Sequence, residues 1–262
     1  SRFAERELAA SRERRAAKWN RETSSRDAYV QSVEPQRQRF RELIGAIDAR
    51  SSTITLWRDA SQADALPGMP VQEVQWDVLE GVSAEGVGLN LDRLQSGHES
   101  TPAALVVLLP DAGQLPEDQA GLNDALPRHE QLALRLAQHG CVVLAPTLID
   151  RECTWSGHAD IRWTNVTHRE LVYRCGFELG RHVIGYEVQK VQAAIDYFES
   201  VRLRFPDARI PIAVVGAGEG GLLAFYAAAI DPRIDVCCVR GYFGPRESVW
   251  QEPIYRNVWG LL

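Results

Sequence analysis

A glycine-rich turn at residues 216–221 is the segment of this sequence best suited to chemistry. Its residues are Gly-Ala-Gly-Glu-Gly-Gly, between the apolar runs 210–215 and 222–230. Small residues are needed where a buried strand turns sharply into a helix, because the strand and the helix approach closely there. Two kinds of site use such a turn, a dinucleotide-binding loop and a nucleophile elbow, and the same residues have different roles in each.

As a dinucleotide loop, the turn satisfies the pattern G-x-G-x-x-G with Gly216, Gly218 and Gly221. The helix amides would then bind a pyrophosphate, and Arg240 at the end of the next apolar run would meet a 2′-phosphate. This pattern normally opens its domain, whereas only 41 residues follow Gly221. NADP binding is therefore kept as an alternative, and the main prediction includes no cofactor.

As a nucleophile elbow, the turn lacks the usual serine of G-x-S-x-G. In register, Gly218 occupies the central position and has no side chain that can attack a substrate. Shifted by one residue, the elbow presents Glu219, whose carboxylate can act as a covalent nucleophile. The alternative is that Glu219 only binds backbone amides or a neighbouring arginine. Gly218 and Glu219 are the predicted catalytic positions.

From about Trp76 to Gly244 the sequence resembles the α/β-hydrolase family, in the branch of dienelactone hydrolases and acetyl xylan esterase-like proteins. The resemblance is carried by the strand–elbow–helix above, by its continuation Asp-Pro-Arg-Ile-Asp at 231–235, and by the helix-like segment 186–196. It implies hydrolysis of a carboxylic ester, either a carbohydrate ester or a lactone. It also implies an oxyanion hole built from the loop Asp111, Ala112 and Gly113 and from the amide of Glu219.

The resemblance also implies an acid and a base on loops after the last strands, yet no histidine follows His182. The sequence therefore predicts a hydrolase core that lacks its last strands at the C-terminus. A longer protein, a second chain that completes the sheet, or an absence of hydrolysis would each explain this. A catalytically inactive binding or scaffold module is thus the competing hypothesis.

The surrounding elements predict an α/β fold with a mostly parallel sheet and helices on both faces. Residues 71–91 alternate as a hairpin, and continuous apolar runs follow at 104–109, 141–145, 212–216 and 234–239. We predict three parts: a helical N-terminal segment at 1–60, a linker at 61–70 and the α/β core at 71–262.

Two smaller predictions concern local packing. In the N-terminal segment, Pro35 is expected to open a helix with an apolar face of Phe40, Leu43, Ile44 and Ile47. Within the last apolar run, Cys237 and Cys238 are expected to be small buried hydrophobes.

The long segment 150–167 follows a predicted strand and is expected to shape access to the site. Trp155 and His158 are its predicted substrate-binding residues. Cys153, His158 and Asp160 match no zinc spacing, so no metal site is predicted. At its end His168, Arg169 and Glu170 indicate a helix start with ion pairs, or less favourably a substrate clamp.

Charge and composition exclude several classes of partner. The net charge is −6, and residues 1–50 hold 12 Arg and Lys against 8 Asp and Glu without an aromatic stacking platform, which argues against nucleic-acid binding. No apolar run approaches the roughly 18 residues of a membrane span. No apolar targeting segment follows Ser1, and the compartment is left open between the cytoplasm and export with a removed signal. The expected partner is a small-molecule or carbohydrate ester.

Overall fold

The structure is a computed structural model that describes residues 2–51, 56–59, 69–94, 101–153, 166–206, 208–245 and 250–260, with the backbone alone for 56–59. A mixed seven-stranded sheet runs through it, in the order β1-β2-β3-β5-β4-β6-β7. The strands are β1 Leu56–Asp59, β2 Val71–Leu79, β3 Val82–Leu89, β4 Leu105–Leu109, β5 Val142–Pro146, β6 Ile212–Ala217 and β7 Val236–Arg240.

The described residues form seven α-helices: α1 Arg2–Ala16, α2 Arg26–Leu43, α3 Pro116–Ala120, α4 Leu132–Gln138, α5 His168–Glu178, α6 Val183–Arg202 and α7 Glu219–Ile230. Among the described residues, no helix is both long and apolar enough to cross a bilayer.

The predicted hairpin is confirmed. β2 and β3 pair antiparallel around a turn at Gly81, whose φ is +73°. Val74, Trp76 and Val78 alternate on the buried face of β2, as a strand with one covered face requires. The indole nitrogen of Trp76 donates to the carbonyl of Lys190, which ties the hairpin to α6.

The four continuous apolar runs form β5, β4, β6 and β7, which pair in parallel. Two apolar clusters cover the two faces of the sheet. One contains Val107, Val214, Val188 and Leu223, so α6 and α7 pack on that face. The other contains Val106, Val143, Ala133 and Ala137 and places α4 on the opposite face. The predicted α/β class with helices on both faces is confirmed.

The predicted start of the N-terminal helix is wrong. α2 begins at Arg26 rather than at Pro35, because the side chain of Ser25 caps it by accepting the amide of Ala28. It ends at Leu43, before Gly45 with its φ of +69°. Of the predicted face, Ile44 is fully buried, whereas Ile47 lies beyond the helix and is 46% exposed.

The sheet reaches further towards the N-terminus than the predicted boundary at residue 60, since β1 pairs with β2 at Leu56↔Trp76. Most of the predicted linker lies outside the described residues, so the division into domains stays a prediction. Cys237 and Cys238 are exposed rather than buried. The reason is that β7 is the edge strand of the described sheet, and it pairs only with β6.

Candidate active site at the glycine elbow

The turn between β6 and α7 has the geometry of an elbow. Gly218 lies at φ +56° and ψ −117°, a backbone conformation that residues other than glycine adopt only with strain. Its amide donates to the carbonyl of Arg240 at 2.9 Å, which anchors the elbow to the end of β7. A Cβ at Gly220 would lie 2.1 Å from the carbonyl oxygen of Leu109, so close packing of α7 on β4 excludes one.

Of the amides predicted to form an oxyanion hole, two donate to the same acceptor oxygen, whereas that of Asp111 donates to Oε1 of Gln114. The amide of Ala112 donates to Oδ1 of Asp111 at 3.0 Å, and the amide of Glu219 donates to the same oxygen at 2.8 Å. Two amides at these distances from one oxygen match the arrangement that stabilises a developing oxyanion. Gly113 follows in the same loop, and a Cβ there would meet no atom within 4 Å. The carboxylate that fills the hole belongs to the chain itself.

The guanidinium of Arg151 holds that carboxylate from the other side. Its Nη1 donates to Oδ2 of Asp111 at 3.0 Å and its Nη2 to Oδ1 at 2.8 Å, a bidentate pair. Burial alone would raise the pKa of Asp111. The hydrogen bonds from Arg151 and from the amide of Glu219 lower it by more than burial raises it, so the pKa lies below its usual value. Asp111 is therefore an anion at neutral pH.

Asp111 also occupies the space above Gly218. A Cβ at Gly218 would lie 2.6 Å from both Cγ and Oδ1 of Asp111, well inside van der Waals contact. The carboxylate thus stands where the side chain of an elbow residue would begin. Any residue larger than glycine at this position would require Asp111 to move.

Glu219 is fully buried and in contact with three arginines. Its Oε1 is 3.3 Å from Nη2 of Arg169, and its Oε2 is 3.2 Å from Nη2 of Arg151 and 3.4 Å from Nε of Arg256. This is the arrangement that the alternative sequence hypothesis expected, a carboxylate held by arginines. The contacts engage its lone pairs, and the direct catalytic role of Glu219 stays a prediction.

Arg169 links this carboxylate to a second buried one. Its Nη1 donates to Oε1 of Glu187 at 3.2 Å and to the carbonyl of Ile149 at 2.8 Å. Burial raises the pKa of Glu187, but the charges of Lys190 and Arg169 outweigh it and lower that pKa. We call the set of Asp111, Arg151, Arg169, Glu187, Glu219 and Arg256 the elbow cluster.

The sequence did not predict most of this cluster. The sequence favours Arg169 as part of a helix start with ion pairs over a substrate clamp, and its two neighbours have other partners: His168 pairs with Asp150 at 3.0 Å and Glu170 with Arg174. Arg151 and Arg256 are single arginines in irregular segments, and nothing in their spacing signals a shared partner. Trp155 and His158 lie outside the described residues.

A cleft of about 420 Å³ opens beside the elbow. Gly241 is part of its wall, and a Cβ there would lie 3.7 Å from the amide nitrogen of Gly218. Its other walls are apolar and aromatic side chains together with one ion pair: Leu222, Phe225, Tyr242, Phe243, Glu252 and Arg256. The volume lies within the range of sites that bind small molecules.

The described residues offer little to a metal or a dinucleotide. Within these ranges no three His, Cys, Asp or Glu side chains gather to hold a metal ion. The amide of Glu219 that a pyrophosphate would use already donates to Asp111. NADP binding stays an untested alternative.

Comparisons with known proteins agree on the fold. No protein-family model matches the chain, and none of the curated proteins matches it. A solved structure of a putative acetyl xylan esterase from Bacteroides fragilis is similar over 79% of this chain and 52% of its own, with 16% identity and a TM-score of 0.50. A glucuronoyl esterase from Solibacter usitatus is similar over 80% of this chain and 58% of its own, with 14% identity and a TM-score of 0.46.

An esterase from an Arctic intertidal metagenomic library is similar over 72% of this chain and 63% of its own, with 18% identity and a TM-score of 0.41. The chain thus spans about half the length of the acetyl xylan esterase structure and less than two thirds of each of the other two. At these identities the likeness concerns the fold alone. This chain has the α/β-hydrolase-type fold that the sequence predicted, in the form found in the acetyl xylan esterase structure.

Proposed function

We propose that the elbow is the acyl-binding site of a carboxylic ester hydrolase, acting on a carbohydrate ester or a lactone. The observation that carries this proposal is the convergence of the Ala112 and Glu219 amides on one oxygen beside Gly218. An ester carbonyl oxygen placed there would receive the same two hydrogen bonds, and they would strengthen as negative charge develops on it. The resemblance to dienelactone hydrolases and acetyl xylan esterase-like proteins gives the substrate class.

Binding of the ester requires the Asp111 carboxylate to leave the hole. Its side chain is about one third exposed, so it can turn towards solvent without opening the core. The acyl group then lies above Gly218, and the alcohol part extends into the cleft beside Gly241. Arg151 remains near the hole and adds positive charge next to the carbonyl oxygen.

The nucleophile in this proposal is Glu219, since Gly218 has none to offer. A carboxylate oxygen of Glu219 would attack the carbonyl carbon and break its bond to the alcohol part, whose alkoxide takes a proton from a water molecule. The hydroxide so formed would cleave the anhydride, which releases the acid product and returns the Glu219 carboxylate. The three arginine contacts hold Glu219 away from the cleft. Attack through Oε2 therefore requires both Arg151 and Arg256 to release that oxygen.

The test is hydrolysis of a panel of short acyl esters and acetylated sugars by the wild type and by Glu219→Gln. We expect turnover in the wild type and its loss by about a hundredfold or more in the variant, as removal of a catalytic group does. Asp48→Asn is the matched control, since Asp48 is another arginine-paired carboxylate far along the chain from the elbow. Turnover that survives in a folded Glu219→Gln protein would remove Glu219 as the nucleophile.

A second candidate function is a binding module without turnover. It is favoured by one observation, that Asp111 fills both the hole and the space above Gly218. In that case the wild type hydrolyses none of the esters, and Gly218→Ser alone gains nothing because Asp111 blocks the new side chain. The double variant Gly218→Ser/Asp111→Gly removes the block and tests whether position 218 is the vacant nucleophile position.

A further inference from the structure

We propose that the elbow hole is a carboxylate-binding site, which Asp111 occupies as an internal ligand until a ligand that bears a carboxylate displaces it. This inference rests on the proposed function in one respect: the hole that binds the acyl group of an ester there is the hole that binds a free carboxylate here. The ligand class is a small carboxylic acid with an apolar or aromatic body. Such acids include the acid product of ester hydrolysis.

The first argument is the completeness of the receptor around the Asp111 carboxylate. Oδ1 accepts from the amides of Ala112 and Glu219 and from Nη2 of Arg151, and Oδ2 accepts from Nη1 of Arg151. Two amides and a planar guanidinium fork come from three separate segments of the chain: the loop after β4, the loop after β5 and the start of α7. A carboxylate from outside would find every one of these donors in place.

The second argument is the charge that remains when Asp111 leaves. The groups joined to the hole by ion pairs are then four cations, Arg151, Arg169, Arg256 and Lys190, against the three carboxylates Glu187, Glu219 and Glu252. One positive charge is left over, beside amides that have lost their acceptor. An arriving anion therefore restores both the charge balance and the hydrogen bonds.

The third argument is the position of the cleft. Its wall includes Gly241, where a Cβ would lie 3.7 Å from the amide nitrogen of Gly218, and Arg256, which contacts Glu219, so the cleft lies next to the elbow that forms the hole. Phe225, Tyr242 and Phe243 form contacting ring pairs along this wall, with centroid distances of 5.2 to 6.2 Å. An acid with an aromatic body should thus bind more tightly than acetate.

Asp48 and Arg181 provide the internal comparison. They form a similar bidentate pair, with Nε and Nη2 of Arg181 at 2.7 to 3.0 Å from the carboxylate of Asp48. The hydrogen bonds from Arg181 lower the pKa of Asp48, as those from Arg151 lower the pKa of Asp111. The converging pair of amides is the feature that distinguishes Asp111.

The experiment measures binding of sodium acetate and sodium phenylacetate by calorimetry at constant ionic strength, with chloride as the competing anion. Asp111→Ala opens the hole, whereas Asp111→Asn removes the charge but leaves a side chain of the same shape in it. Asp48→Ala leaves Arg181 unpaired without creating a hole. Asp111→Ser is a second open variant, used if the alanine variant does not fold.

We expect Asp111→Ala to bind acetate at least about tenfold more tightly than each of the other three proteins, the wild type, Asp111→Asn and Asp48→Ala. A tenfold gain in affinity corresponds to recovery of about one charge-assisted hydrogen bond. Phenylacetate should bind more tightly than acetate to the open variant. It should also do so, with lower affinity, to the wild type and Asp48→Ala, where it must displace Asp111. Equal binding by all four proteins would overturn the inference. Equal binding by the alanine and asparagine variants would do so as well, because charge alone would then explain it.

The result is separable from that of the ester assay. Carboxylate binding without ester turnover would contradict the proposed hydrolysis and leave this inference standing. Ester turnover by the wild type without carboxylate binding to the open variant would support the proposed hydrolysis and overturn this inference.

Discussion

Two arginine–carboxylate clusters lie at opposite ends of the parallel strands. The elbow cluster lies at their carboxyl ends, next to Gly218. The other, which we call the base cluster, consists of Arg50, Asp196, Asp231 and Arg233. The last two residues of the base cluster directly precede β7, so it lies at the amino ends of the strands. Both clusters join segments that are distant in sequence, yet their surroundings differ.

The base cluster is partly exposed to solvent through its two arginines and Asp196, whereas Asp231 is buried. Arg233 contacts Asp196 and Asp231 at 2.7 Å each, and Arg50 contacts Asp196 at 2.7 Å. The side chains of Arg233 and Arg50 are 30% and 29% exposed, so water screens these pairs. Their geometry accounts for a structural role that joins α6 to the segment before β7.

The elbow cluster is dry at its centre. Arg169, Glu187 and Glu219 have side chains that are 0% exposed, and Nε of Arg169 is buried without a hydrogen-bond partner. No side-chain atom of the base cluster, all of whose residues are described, is buried without a partner. Buried charges are expensive to desolvate, and their concentration at the elbow is what the proposed function would account for.

The largest expected effect is removal of the central guanidinium of each cluster. Arg169→Met leaves the buried carboxylates of Glu187 and Glu219 without their shared cation, and should lower the free energy of unfolding by about 3 to 5 kcal/mol. Arg233→Met should lower it less, by about 1 to 2 kcal/mol, because solvent reaches Asp196 although the buried Asp231 loses its arginine. Urea unfolding of both variants measures the difference. Equal losses would show that the two clusters do not differ in kind.

The next effect is a pH dependence of the protein's stability, caused by His182, which lies near Arg169 of the elbow cluster. Burial and the charge of Arg169 lower the pKa of His182 to about 4, against a hydrogen bond to the Asn257 carbonyl that raises it. The unfolded chain takes up a proton below about pH 6.5 whereas the folded protein does not, so stability falls as the pH drops from about 6.5 to about 4. The full loss is about 3 kcal/mol.

His182→Asn tests this, since asparagine can still accept the amide of Ile184 at the start of α6 and cannot titrate. Unfolding midpoints between pH 7 and 4 should be flatter in this variant than in the wild type. Asp231 in the base cluster and Asp111 have lowered pKa values. The stability that their ionised carboxylates contribute to the folded protein is therefore lost only at still lower pH. An unchanged slope between pH 6.5 and 4 would be evidence against a buried neutral His182.

A smaller effect is expected from adding one methyl group at the elbow. Gly218→Ala places a Cβ 2.6 Å from Asp111 at a positive φ, and should cost about 2 kcal/mol of stability. In an Asp111→Gly background the collision disappears while the backbone strain remains. The alanine should therefore cost about 1 kcal/mol less there, measured as a double-mutant cycle. Strict additivity would mean that Asp111 does not stand above Gly218.

The sequence predicted the sheet well because its evidence is local. Alternation at Val74, Trp76 and Val78 identified the hairpin, and four apolar runs identified the parallel strands within one or two residues at each end. The helix that ends at Leu43 was misplaced at its start, because Ser25 competes with Pro35 as a start signal. Cys237 and Cys238 were misplaced because an apolar edge strand and an apolar central strand look alike in sequence.

The site was predicted only where backbone groups form it. The resemblance to α/β-hydrolases, rather than the glycine spacing itself, implied that amides of the loop after β4 and of Glu219 lie together, and the two segments follow neighbouring strands. The side chains that give the site its charge come from Arg151, Arg169 and Arg256, which lie 18 to 105 residues apart. Such long-range pairing depends on the tertiary structure and leaves no local pattern in the sequence.

The most direct test of the account is the position of two amide resonances, in protein labelled with ¹⁵N at alanine and glutamate. In Asp111→Ala the signals of Ala112 and Glu219 should move upfield relative to the wild type, since both lose a carboxylate acceptor. Titration with acetate should move both back, while signals of residues near Asp48 stay in place. Signals that do not respond together to the substitution and to acetate would contradict a carboxylate-filled oxyanion hole at this elbow.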